Sequence, residues 1–143
     1  MKISTKARYS LRVLIDLAEH KEDGYIPLNI IAQRQGISKN YLDQIMMLLN
    51  RSDYLKTNRG VNGGYMLAKP ASHYVLGDIL RITESNFMPV FCQKKDKSAC
   101  DKISICKAHN AWAGLYNIIR DYLDNLTLQD ILDKGNEHIE FNI

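Results

Sequence analysis

Four residues in the second half of the chain carry donor atoms suited to a metal: Cys92, Cys100, Cys106 and His109, in the pattern C-x7-C-x5-C-x2-H. These three cysteines are all that the 143 residues contain. An odd number of thiols, with no apolar leader segment at the N-terminus, points away from a disulfide framework and toward free, metal-binding or redox-active cysteines. Cys92 and Cys100 fall in a stretch from Phe87 to Ile103 that also holds Lys94, Lys95, Lys97 and Lys102. Cys106 and His109 stand at i and i+3, so they share one face of the first turn of a predicted helix. Cationic neighbours and a helix N-terminus both favour thiolate, the form that binds metal. Spacing alone leaves zinc and an iron-sulfur cluster open: the short C-x2-C knuckles of zinc sites are absent, and clusters accept long, irregular gaps. The plainer reading is unrelated free thiols in a loop. His20, His73 and His138 stand alone and read as surface residues.

The elements that must position these groups begin with an ordinary globular composition, 45% hydrophobic and 24% charged. No apolar run approaches the ~20 residues of a membrane span, and the expectation is a cytoplasmic protein. Charge is divided unequally. Up to Val75 there are 11 Lys and Arg against 6 Asp and Glu, and from Leu76 onward 8 against 10. The basic half is the candidate for a polyanionic partner, provided a motif supports it.

A motif does. Residues Lys2 to His20 form an amphipathic helix with Leu11, Leu14, Ile15 and Ala18 on its apolar stripe, widened by Val13 and Leu17. Leu28, Ile31 and Ala32 give a short helix stopped by Gly36. Ser38 then N-caps a second one, with Tyr41, Leu42, Ile45, Leu48 and Leu49 at helical spacing. Helix, glycine turn and capped helix is the spacing of a helix-turn-helix, whose second helix lies in a DNA major groove; an ordinary helical hairpin is the alternative. Tyr54, Leu55 and Thr57 form one strand and Tyr65 to Ala68 another, around a glycine-rich tip, Asn58-Arg59-Gly60-Val61-Asn62-Gly63-Gly64. Such a tip is a wing: its glycines permit close approach to a second surface, and Arg59 suits a narrow, negative minor groove. A nucleotide-binding phosphate loop is the competing reading and lacks the support it needs, because no Lys-Ser/Thr pair follows and no helix starts there. The predicted fold is mostly α with a small β-hairpin, a winged helix-turn-helix domain.

The segments Met1 to Tyr9, Ile37 to Gln44 and Arg59 to Leu67 resemble the IscR-type family of bacterial winged helix-turn-helix regulators, which includes a nitric-oxide sensor and a cysteine-metabolism regulator. The resemblance covers nearly the whole chain, and the wing is its most specific part. It implies a DNA-binding set of Ser38, Lys39, Asn40, Tyr41, Asp43, Gln44, Arg59 and Gly60, with Arg59 as the wing arginine and Asn40, Tyr41, Asp43 and Gln44 at base-reading positions. Chemically, Gln44 and Asn40 can pair with adenine, Asp43 can accept from cytosine N4, and Lys39 suits phosphate. Asp43 stands where iron-sulfur-sensing members carry the longer glutamate. The resemblance also implies an iron-sulfur cluster on Cys92, Cys100, Cys106 and His109. A histidine three residues past Cys106, followed by Trp112, favours the two-iron type, while the seven-residue gap is closer to some nitric-oxide sensors and leaves a four-iron cluster open. A cluster of either kind can be lost in air.

From Ser104, taken as N-cap, apolar residues fall at Ile105, Ala108, Trp112, Leu115, Ile119, Tyr122 and Leu126, with Asn117, Arg120, Asp121 and Asp124 outside. This narrow seam fits a homodimer helix, and a winged-helix dimer reads a pseudo-palindromic operator in double-stranded DNA. Packing on its own domain is the alternative for part of the helix. Thr127 with Asp130 three residues later starts a last helix through Leu132. The tail alternates Ile139, Phe141 and Ile143, as a strand or arm would.

The resulting organisation is a DNA-binding domain at 1–85, a cysteine-bearing sensor loop at 86–103, a dimerisation helix and short following helix at 104–132, and a tail at 133–143. No acid-base pair or supported nucleophile suggests an enzyme. The expected function is a DNA-binding regulator reporting cluster supply, oxidants or nitric oxide. Its alternative is a cluster-free regulator answering to thiol oxidation or a partner protein.

Overall fold

The computed structural model describes residues 2–85, 88–90 and 100–135. Among them are six α-helices and one two-stranded antiparallel hairpin: α1 (Thr5–Glu19), α2 (Leu28–Gln35), α3 (Lys39–Arg51), β1 (Leu55–Asn58), β2 (Gly64–Leu67), α4 (Leu76–Thr83), α5 (Lys107–Asp124) and α6 (Leu128–Lys134). The mostly helical winged architecture is the one expected. Helix α4 is an element that the periodicity reading does not single out.

Local chemistry sets the boundaries. The Ser4 hydroxyl accepts from Ala7 N–H at 3.1 Å, and the Glu84 carboxylate accepts from Ser4 N–H at 2.7 Å, so two donors at the start of α1 are satisfied. Gly36 closes α2 in the left-handed conformation, with its N–H returned to the last turn. Thr127 and Asp130 form a reciprocal capping box at α6.

One core holds the DNA-binding half together. Val13, Leu14 and Leu17 of α1 pack with Ile31 of α2 and Leu42, Ile45, Met46 and Leu49 of α3, and Leu128 of α6 joins them. Two arginines fix the angle between the first helices. Arg34 on α2 places Nε and a terminal nitrogen each 3.0 Å from the carboxylate of Asp16, which is only 3% exposed. A buried carboxylate needs such a partner. Arg12 donates to the Gln35 carbonyl at 2.8 Å, satisfying an orphan group at the end of α2. His20, expected at the free surface, is half-buried and donates through Nδ1–H to the Asp16 carbonyl at 2.8 Å.

The long helix departs from expectation at both ends. Ser104 is not its cap: two short turns, Ile103 N–H to Cys100 O and Ile105 N–H to Lys102 O, intervene, and Cys106 holds the N-cap position of α5. At the other end α5 stops at Asp124, short of Leu126. The seam divides as well. Ile119 turns inward onto the cluster of Ala7, Leu80 and Leu123, and Leu126 is half-buried. Ile118, absent from the predicted seam, is 71% exposed. A shift of one residue rotates a side chain by about 100° around a helix, enough to exchange an inward position for an outward one.

Candidate nucleic-acid interface and cysteine site

Helix α3 carries its candidate reading residues on the side opposite the core. Lys39, Asn40, Asp43 and Gln44 are all exposed, while Leu42, Ile45, Met46 and Leu49 are fully or almost fully buried. The Ser38 hydroxyl accepts from Tyr41 N–H at 3.4 Å and so opens the helix at this surface. Tyr41 differs from the other candidate base-reading positions. It is half-buried, with its ring edge-on to Tyr9 at 6.0 Å between centroids, and the Arg12 guanidinium lies 5.2 Å from the Tyr9 ring. This stack braces α3 against α1. Met47 and Asn50 lie on the exposed side too. Continuing the polar face by i+3, i+4 and i+7 from Asn40 and Asp43 would have found both.

The hairpin stands beside α3. Leu55 pairs with Leu67 and Asn58 with Gly64, leaving Arg59 to Gly63 as the tip, with Arg59 and Gly60 exposed. Gly60 takes a φ of 109°, open to glycine but strained for other residues. At Gly64 a side chain would strike the Ile26 carbonyl, and that close approach is used: Ile26 and Tyr65 exchange both backbone hydrogen bonds at 2.9 Å. The wing is thereby anchored to the segment that enters α2. Its base is held by Tyr74, whose hydroxyl donates to the Tyr54 carbonyl at 2.7 Å and accepts from Lys69 N–H at 3.0 Å. Burial pushes the Tyr74 phenol above its ordinary range, so the donor proton stays in place. Burial first, and the nearby Asp43 carboxylate second, raise the Tyr65 phenol in the same way.

Between α3 and the wing lies a cleft of about 370 Å³, lined by Met47, Asn50, Asn58, Arg59 and Tyr65 among others. Its walls are mixed: Asn50, Asn58 and Arg59 supply polar and cationic groups while Pro27, Leu28, Met46 and Met47 supply apolar surface, a combination suited to a nucleic acid edge.

Of the expected cysteine site, Cys92 lies outside the described residues. Cys100 and Cys106 are free and exposed. Cys106 opens α5, and its carbonyl accepts from His109 N–H at 3.1 Å, one turn along. The Nδ1 atom of His109 is buried and has no hydrogen-bond partner among the described residues. An orphaned ring nitrogen on the residue one turn along from a free thiol supplies two donor types of a soft-metal ligand set, neither held by another bond among the described residues. Among the described residues no three His, Cys, Asp or Glu side chains converge.

Beyond the N-terminal turns of α5, Leu115, Ile118 and Tyr122 are exposed with Trp112 beside them, whereas its C-terminal half is tied to α4. Arg81 on α4 holds Asp124, and Leu76 N–H donates to the Leu126 carbonyl at 2.8 Å. No described helix is long and apolar enough to cross a membrane. The tail residues Ile139, Phe141 and Ile143 lie outside the described residues.

A family model described as an iron-dependent transcriptional regulator, Rrf2, matches residues 3–134. The chain is 33% identical over 133 residues to the HTH-type transcriptional regulator IscR of Yersinia pseudotuberculosis, covering 93% of this chain and 80% of that one. Among solved structures, T. potens IscR aligns with a TM-score of 0.75 at 33% identity, covering 96% of this chain and 90% of that one. The global cysteine regulator CymR of B. subtilis aligns with a TM-score of 0.78 at 30% identity, covering 95% and 99%. The relatives are named as transcriptional regulators and not as enzymes, and a hairpin wing beside a capped, solvent-facing helix is the matching architecture here. The chain belongs to the Rrf2 family of DNA-binding transcriptional regulators.

Proposed function

We propose that this regulator works as a homodimer on a pseudo-palindromic operator and that Cys92, Cys100, Cys106 and His109 hold an iron-sulfur cluster, of the two-iron type, that reports cluster supply, oxidants or nitric oxide. The observation that carries the reading is the double duty of α5. Its start bears Cys106 and His109, whose Nδ1 has no hydrogen-bond partner among the described residues. Its exposed stripe of Leu115, Ile118 and Tyr122 suits a second copy. Its far end is anchored to α4 of the DNA-binding half. On this reading residues 1–85 are the DNA-binding domain, 86–103 the sensor loop, 104–132 the dimerisation unit and 133–143 a tail.

When bound, a cluster supplies one-electron chemistry and lability toward oxidants and nitric oxide. The protein's part is mechanical: ligands from the 86–103 stretch and from the first turn of α5 would fasten one to the other, fixing how α5 presents its seam and how far apart the two α3 helices stand. In the DNA-binding half, Gln44, Asn40 and Asp43 read base edges, Lys39 holds phosphate, Tyr41 braces α3 against Tyr9, and Arg59 enters the minor groove.

Anaerobic reconstitution followed by visible spectroscopy and DNA titration tests this. The expected result is a coloured protein, colour lost in each of Cys92→Ala, Cys100→Ala and Cys106→Ala, a shifted or more labile centre in His109→Ala, and at least one operator bound with ~5- to 150-fold different affinity by loaded and unloaded protein. A colourless, zinc-containing wild type overturns the cluster. Loaded and unloaded forms that agree within about twofold on every operator would make it a structural staple. The second reading, a cluster-free thiol regulator, is favoured by the exposure of both Cys100 and Cys106. It predicts oxidant-dependent DNA binding in iron-free protein.

A further inference from the structure

The solvent face of α3 holds one large apolar residue. Asn40, Asp43, Gln44, Asn50 and Arg51 surround it with polar chemistry, yet Met47 is 49% exposed. Its neighbour Met46 is fully buried in the core, so the packing demand at this level of the helix is already met. Nor does Met47 sit on a bare outer surface. It lines the cleft between α3 and the wing, across from Asn58 and Arg59. Relative to Asn40, Asp43 and Gln44 it stands at i+7, i+4 and i+3, and so continues the same face.

Only one feature of the major-groove base edges is apolar, the C5-methyl of thymine. From Gln44 to Met47 the helix rises about 4.5 Å, slightly more than the ~3.4 Å between successive bases of a strand. Met47 therefore falls one to two base steps from the Gln44 contact, on the wing side. An unbranched thioether chain can bend to cover a methyl group without a fixed hydrogen-bond geometry. We infer that Met47 is a specificity residue that reads a thymine methyl group in each half-site, next to the base contacted by Gln44. The inference rests on the DNA-reading function proposed for α3, and extends it from hydrogen-bond readout to apolar readout.

The test begins with duplexes selected by the wild-type protein from a randomised pool. Each thymine of the resulting consensus is then replaced in both half-sites by deoxyuridine, which removes the methyl and leaves every base-pairing atom. For one thymine the wild type should lose about fourfold affinity per half-site, the equivalent of ~0.8 kcal/mol for one buried methyl group. Met47→Ala should bind the thymine and deoxyuridine duplexes alike, and Met47→Leu should keep the discrimination. If Met47→Ala retains the wild-type preference for thymine, or wild type is indifferent to every methyl, the assignment of Met47 falls while DNA reading stands. If the pool yields no consensus at all, sequence reading by α3 falls, and this inference with it.

Discussion

Arg81 on α4 and Asp124 at the last turn of α5 are joined by two hydrogen bonds from one terminal nitrogen of the guanidinium, the longer at 2.7 Å. They lie 43 residues apart in sequence. Asp78 takes the other terminal nitrogen at 2.8 Å. The side-chain hydrogen bond to Asp124 is the main reason the arginine's pKa is raised above its ordinary value. Gly77 sits directly beneath: a side chain there would collide with the Asp124 carboxylate.

Because Arg81 is 48% and Asp124 35% exposed, Arg81→Ala should cost no more than ~1 kcal/mol of stability. Gly77→Ala should displace Asp124 and lose the same pair, so the double variant should cost less than the two single effects together. Urea melts of the four proteins in this cycle check it. Fully additive losses would mean that Gly77 matters for another reason.

Charge on the outward and inward rows of α5 should act on different equilibria. Leu115→Glu or Ile118→Glu places a carboxylate in the proposed interface and should yield folded monomers in sedimentation at micromolar concentration. Ile119→Glu instead meets Leu80, Leu123 and Ala7, and should lower the melting temperature of the DNA-binding half itself. A wild type that is monomeric under these conditions would remove the interface.

Reading and holding DNA should separate in titrations. Gln44→Ala should lose ~1 to 3 kcal/mol on the selected operator and little on random sequence. Lys39→Ala should weaken both and reduce the slope of log K against log salt by about one. Tyr41→Phe should change neither much, because it leaves the ring contact with Tyr9 intact. Equal losses of Gln44→Ala on operator and random DNA would take Gln44 out of base readout.

The capping box of α6 gives a pH dependence with a defined sign. Hydrogen bonds from the Thr127 hydroxyl and then the Thr127 N–H to the Asp130 carboxylate lower its pKa below the ordinary 3.8. The folded value is depressed, so the stabilisation is full above the unfolded pKa and is lost as pH falls through the folded one. The difference in melting temperature between wild type and Asp130→Asn should accordingly be largest near neutrality and shrink below about pH 4. A difference independent of pH would assign the effect to packing.

What could be read in the sequence was what local chemistry decides. Ser38, Gly36 and the Thr127–Asp130 pair marked helix ends because each meets a donor or acceptor within a few residues of itself. The glycines of 58–64 marked the hairpin because each meets its own backbone demand: Gly60 a positive φ, Gly63 the Asn58 carbonyl and Gly64 the Ile26 carbonyl. Periodicity put Ile119 in the outward seam and passed over Ile118: the two are neighbours along the helix, and which one turns inward depends on where α4 and α1 stand. Ser104 had the better cap chemistry, yet the chain makes two extra turns and starts α5 at Cys106. The ring contact of Tyr41 with Tyr9, 32 residues away, is the part of its setting that the sequence did not reveal. For the proposed cysteine site the sequence offers four candidate donors, and the fold adds that His109 Nδ1 has no hydrogen-bond partner among the described residues.

Tyr74 touches both ends of the molecule with different atoms. Its hydroxyl holds the wing base at Tyr54 and Lys69, while its main-chain carbonyl accepts from Leu128 N–H at 2.8 Å, the first residue of α6. The side chain and the backbone of a single residue thus belong to two separate structural joints. Any rotation about its Cα that loosens one joint must be accommodated by the other, so the amides of Lys69 and Leu128 should open to hydrogen exchange in step, with one common opening free energy. The wing is in this sense not an appendage of the DNA-binding half. It is a lever whose fulcrum also carries the C-terminal helix.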